Sequence, residues 1–178
     1  MRSPSRRFIL IGIGALLLSS CAQRETPSVQ RPPPAPSPQQ AAPLSAAQYV
    51  ATASSIDRLV IEAADLAAER ASSARLRDLA AKLRRDHAGI SAQLSFAGRR
   101  LNLLPSATLQ SRHQAMLGEI TAATDFAAAW KRVMIAVHEQ GVGIHGDFAR
   151  AGTSPTLRPV ADFALPAMRR HLTDLRGL

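Results

Sequence analysis

The chain has 178 residues, a formal net charge of +9, and 46% hydrophobic but only 4% aromatic residues. An apolar content made mostly of Ala and Leu, with no alternating run rich in Val, Ile and Thr, excludes a strand-based fold and points to one all-α domain. The arginines are scattered or in isolated pairs (Arg84 and Arg85, Arg99 and Arg100, Arg169 and Arg170) without interleaved aromatics, which reads as a solvated helix surface and argues against nucleic acid as a partner.

Residues 1–20 read as an export signal. A basic segment, Arg2 to Arg7, precedes an apolar run, Phe8 to Leu18, that is too short to span a bilayer. The signal ends Leu18-Ser19-Ser20-Cys21, and Cys21 is the only cysteine, so no internal disulfide can form. This ending resembles the lipobox of bacterial lipoproteins and implies acylation of Cys21, which would hold the protein to a membrane surface. Ala22 after that cysteine, where an Asp would direct retention, resembles outer-membrane lipoproteins of Gram-negative envelopes, facing the periplasm. Arg6-Arg7 also resembles a twin-arginine export signal. Removing Arg2, Arg6 and Arg7 with the signal leaves a formal charge of +6. Residues 21–44, with seven prolines, read as a lipidated cysteine followed by an extended spacer, and residues 45–178 as the folded domain.

Ser45-Ala46-Ala47-Gln48 has the form of a capping box and predicts a first helix to about Ala71, with Ile56, Leu59, Ala63 and Leu66 on one face and Glu62 bordering it. Ser72 or Ser73 caps a second, long helix reaching Leu101. Its stripe of Leu76, Ala80, Leu83, Ile90, Leu94, Ala97 and Leu101 is broken by His87, which stands where the pattern asks for an aliphatic residue. A shorter third helix is predicted over 107–122, with Leu109, His113, Leu117 and Ile120 on one face. Thr124 is placed as the cap of a fourth, striped by Phe126, Trp130, Val133, Val137, Ile144 and Phe148, with Met134, His138, Val142 and His145 alongside. Gly141, Gly143 and Gly146 within it imply close approach of neighbouring helices. Ser154-Pro155 starts the last helix, where Leu157, Ala164, Met168, His171 and Leu175 share a face and Pro166 predicts a kink. Four long helices with short connections make an up-and-down bundle, with the short helix in a crossover.

His87, His138 and His171 thus sit on inward faces of three helices. Three imidazoles suit zinc or copper, and Met134 and Met168, each on the face of one of these histidines, favour copper. Asp86 and Glu62 are candidates to complete or orient the site. A carboxylate-bridged di-iron centre needs Glu three residues before two of the histidines, whereas Arg84, Ile135 and Met168 stand there, so iron is disfavoured. Hydrolase motifs such as GxSxG and HExxH are absent. The reading is metal binding or buffering rather than catalysis. The alternative is a structural or interaction protein of the envelope whose histidines only pack and hydrogen-bond, with its partner undetermined.

Asp86-His87, then Phe126 to Trp130 followed by His138-Glu139, then Leu165-Pro166 followed by His171-Leu172, resemble in order the motifs of the domain of unknown function 4142 family of exported bacterial proteins. The resemblance runs from about Tyr49 to Leu175 and implies a ferritin-like four-helix fold without an established activity. Two departures stand out. Val60 occupies a place where relatives often carry Glu, and Phe126-Ala127 with Trp130 replaces their Phe-Asp-x-x-Tyr.

Overall fold

In a computed structural model of the chain, residues 44–178 are described, and they form five helices with no strand among them. Residues 1–43, which include the expected export signal at 1–20, the expected acylation site Cys21 and the proline-rich stretch, lie outside the described residues. No described helix is long and apolar enough to cross a membrane.

The first helix, α1 (Ala46–Arg70), opens on the predicted capping box: Ser45 Oγ accepts from the Gln48 N–H at 3.2 Å and Gln48 Oε1 from the Ser45 N–H at 3.0 Å. Ser73 caps α2 (Ala74–Arg99). This helix stops two residues before the end of its apolar pattern, because the Gly98 carbonyl accepts from the N–H groups of Leu101 and Leu103 and Asn102 turns left-handed at φ 56°. A side chain on Gly98 would collide with the Leu103 carbonyl. Leu101 therefore points outward, 36% exposed, rather than extending the buried stripe.

The short α3 (Ser111–Ala122) begins four residues later than its periodicity predicts. Residues 107–110 are diverted to α1, where Ser55 Oγ accepts the Gln110 N–H at 2.9 Å and Gln110 Nε2 donates to Thr52. The cap of α4 (Phe126–Ala151) is Asp125 rather than Thr124, its carboxylate accepting from the Ala128 N–H at 3.0 Å. The three glycines leave α4 unbroken, and only Gly141 meets the expected close neighbour: a Cβ there would lie 3.0 Å from Met168 Sδ. Gly143 faces open space and Gly146 has ordinary contact distances to Leu165. The Ser154 carbonyl accepts from Leu157 and Arg158, so the chain turns once before α5 (Arg158–Arg176) begins. That helix carries Pro159 in its first turn and continues through Pro166.

Helix α1 packs on α2 and α4, α5 packs on α2 and α4, and α3 lies against α1 and α4. The largest apolar cluster runs along α1, α2 and α4 around Leu59, Leu83 and Trp130. Trp130 is fully buried and donates its indole N–H to the Ala63 carbonyl at 2.9 Å, which pins α4 to α1. A second cluster closes the opposite end with Tyr49, Leu94, Phe148, Leu157 and Val160. Between the two, the interior turns polar.

Candidate metal centre

Each of the four long helices contributes one fully enclosed polar side chain to that middle layer: Asp57 from α1, His87 from α2, His138 from α4 and His171 from α5. Three are imidazoles with 0% exposure, and their ring centroids form a nearly equilateral triangle with edges of 5.2, 5.4 and 5.4 Å. One ring nitrogen from each lies within 4.8 Å of the other two. Helical periodicity explains how residues so far apart in sequence meet, since each occupies a position whose neighbours three and four residues away are core residues.

The outward nitrogen of each ring is tied down, and this decides which nitrogen is left over. His138 Nδ1 lies 2.7 Å from the Met134 carbonyl; a carbonyl only accepts, so this nitrogen carries the hydrogen and Nε2 keeps its lone pair. His171 Nε2 donates to Asp86 Oδ2 at 2.7 Å, which leaves Nδ1, buried and without a partner, as the free nitrogen. His87 Nδ1 is 2.9 Å from Asp57 Oδ1, and a carboxylate there takes the Nδ1 hydrogen and frees Nε2.

His87 Nε2 and His138 Nε2 then face each other at 3.2 Å. Two lone pairs at that separation repel unless a proton or a cation sits between them. Two nitrogens that each bind one tetrahedral ion at 2.0–2.1 Å stand about 3.3 Å apart, so this edge of the triangle has the spacing of a ligand pair. The donor set fits an ion that accepts three neutral imidazoles, with the orphaned His171 Nδ1 as third member.

Electrostatics keep two of the rings, His138 and His171, neutral. Burial, with the neighbouring His87 as a smaller cause, pushes His138 well below the usual imidazole range. Burial lowers His171 to about 4, against the opposing pull of its Asp86 hydrogen bond. At neutral pH both present lone pairs rather than positive charge. Burial raises the Asp57 carboxyl, opposed by its hydrogen bond to His87, and its Oδ2 has no partner.

The sequence candidates divide accordingly. Asp86 sits beside the centre with its side chain 37% exposed, orienting His171 rather than pointing at the triangle. Met134 holds His138 through its backbone carbonyl while its side chain lies in the apolar core. Met168 is fully buried with Ile90 and Ala164 and rests its sulfur against Gly141. Glu62 is not part of the layer: it pairs with Arg58 at 3.2 Å on the surface, with 37% of its side chain exposed. The acid that α1 does contribute is Asp57, which the sequence reading passed over. Its signal is the same as that of His87, a polar residue four after Ala53 and three before Val60 on a buried face.

The two remaining histidines stand apart. His113 is fully engaged, Nδ1 with Ser55 Oγ at 2.7 Å and Nε2 with Gln140 Oε1 at 3.1 Å. His145 Nδ1 is hydrogen-bonded to the Tyr49 hydroxyl at 3.0 Å, two helical turns along α4 from His138.

Among solved structures, the fold is similar to CopM in the Cu(II)-bound form, at 15% identity and a TM-score of 0.66, covering 76% of this chain and 96% of that one. It is also similar to CopM in the Cu(I)-bound form, at 14% identity and a TM-score of 0.64, with 75% and 94% covered. A DUF305 fragment from Deinococcus radiodurans matches at 17% identity and a TM-score of 0.64, with 74% and 93% covered. At these identities the likeness shows a shared fold. No curated protein sequence matches this chain significantly. The family model described as domain of unknown function DUF4142 matches residues 31–178, and the chain belongs to that family.

Proposed function

We propose that this protein binds one transition-metal ion per chain, copper or zinc, through His87 Nε2, His138 Nε2 and His171 Nδ1, inside an up-and-down, ferritin-like bundle of α1, α2, α4 and α5. One observation carries the reading: three buried imidazoles each have one nitrogen tied to a partner, and one ring nitrogen from each lies within 4.8 Å of the other two. A donor set of three imidazole nitrogens favours copper or zinc over harder ions. Two similar folds were solved as copper-bound forms of CopM, which supports copper as the first ion to test. In this account Asp57, Asp86 and the Met134 carbonyl orient the rings, and a bound ion would supply a Lewis-acidic centre enclosed by the bundle. The role is holding or buffering the ion in the cell envelope, with the chain anchored through an acylated Cys21 and the domain on the periplasmic side.

One observation favours a purely structural reading. With a proton in place of an ion, Asp57, His87, His138 and the Met134 carbonyl form a continuous hydrogen-bonded chain across the core. Titration of chelator-treated protein with copper and zinc separates the two. Saturation near one ion per chain, lost in His138→Leu while helical circular dichroism is kept, is the result expected of a metal centre. Absence of saturable binding leaves the hydrogen-bonded chain.

A further inference from the structure

The end of the bundle where α1 and α5 begin and α2 ends carries apolar side chains that nothing in the domain covers. Phe96 on α2 is 60% exposed, Phe163 on α5 59%, and Leu104 after α2 69%. Phe96 lines a shallow groove with Ala97, Arg100, Pro155, Pro159 and Val160, and Phe163 follows one helical turn after Pro159. Isolated exposed apolar residues are ordinary, but Phe96 in the groove and Phe163 one helical turn beyond its Pro159 put two exposed rings at the same end of the bundle.

Two further observations say what the patch faces. The first is where the chain enters the domain. Leu44 packs on the cluster of Tyr49, Leu94, Ala97, Phe148 and Val160, and Ala97 and Val160 also line the groove. The segment that leads back to Cys21 therefore joins the domain at this end. The second is charge. Arg99, Arg100 and Arg158 are exposed here against Asp162, while Asp147 is already paired with Arg150 at 2.8 Å. Apolar rings beside guanidinium groups match a bilayer surface, where rings enter the headgroup region and arginines meet lipid phosphates.

We propose that this end of the domain, centred on Phe96, Phe163, Arg99 and Arg100, docks on an anionic lipid surface. The proposal rests on the lipid-anchored reading of Cys21 for its physiological setting. Covalent geometry keeps the domain within about 80 Å of an acylated Cys21. At such a range a contact too weak to recruit a free protein is populated in the anchored one. Docked this way, the domain presents its Trp130 end to the periplasm.

The test uses the chain from residue 21 onward with Cys21→Ser, so that no acyl chain contributes. Co-sedimentation is measured with vesicles of about one-third phosphatidylglycerol in phosphatidylcholine and with pure phosphatidylcholine. The expected result is binding to the anionic vesicles that weakens about tenfold in Phe96→Ser/Phe163→Ser and in Arg99→Gln/Arg100→Gln, and that falls with salt. All four positions are exposed, so the variants keep the fold, which circular dichroism checks. Absence of binding, or equal binding by the parent and both variants, overturns the proposal. So does a parent that sediments as a dimer and becomes monomeric in the phenylalanine variant, since a second copy would then cover the patch. Mass spectrometry of Cys21 from the native envelope tests the anchor separately: acylation without vesicle binding sinks only the docking face, and vesicle binding without acylation sinks only the anchor.

Discussion

Replacing Asp57 with Asn probes the reasoning about the centre at its most enclosed point. The substitution preserves side-chain size and removes one negative charge from a 2.9 Å contact in which His87 is 0% and Asp57 1% exposed. A carboxylate behind a ligating imidazole raises its basicity and fixes its orientation, and losing such a partner typically costs 10–100-fold in metal affinity, about 1.4–2.7 kcal/mol. Asp57 is 1% exposed, so bulk solvent screens its charge little, which places this variant toward the upper end of that range. Asp86 makes the equivalent contact to His171 at 2.7 Å, but its side chain is 37% exposed. Solvent there screens the charge and supplies a substitute acceptor, so Asp86→Asn should lose only about threefold. Competition against a chromophoric chelator at pH 7, with helical circular dichroism as the folding control, measures both. Equal losses in the two variants, or parental affinity in Asp57→Asn, would refute the burial argument.

Metal-free protein should lose stability on acidification. Burial lowers His145 and His171 to about 4 in the folded state, while the unfolded chain binds those protons near pH 6.5. Protonation therefore favours unfolding as pH falls from about 6.5 to about 4, by up to about 3 kcal/mol for each ring, and guanidinium melts at pH 7, 5.5 and 4 report it. Metal affinity should fall as the pH drops toward 4, because protons then compete for His171, which burial holds at about 4; competition titrations at pH 7, 5.5 and 4 measure it. Gly143→Ala should raise the melting temperature by about 3 °C: a Cβ there meets nothing within 4 Å, and helix propensity improves by about 0.8 kcal/mol.

The helices were legible in the sequence because their signals are local. The Ser45–Gln48 capping box closes as written, and the His87 gap in the α2 stripe is a buried imidazole. What the sequence hid was tertiary. Helix α1 is covered by α2, α3 and α4, so its buried face is wider than one stripe. Phasing it by Ile56, Leu59, Ala63 and Leu66 placed Glu62 at the border and passed over Asp57, although both Ile56 and Asp57 are enclosed. The start of α3 moved because Ser55 on α1 captures the Gln110 amide, a contact between residues 55 apart in sequence. Asp125 and Thr124 are both competent caps, and only the turn geometry selects Asp125. That Met134 serves His138 through its carbonyl rather than its sulfur is likewise a matter of side-chain direction, which periodicity does not encode.

X-ray absorption at the copper edge, on protein loaded with one equivalent, tests the central claim most directly. The account predicts an inner sphere dominated by about three imidazole nitrogens near 2.0 Å, with the imidazole scattering reduced in His171→Leu. An inner sphere of oxygen ligands, or a spectrum unchanged by His171→Leu, would contradict a centre built from His87, His138 and His171.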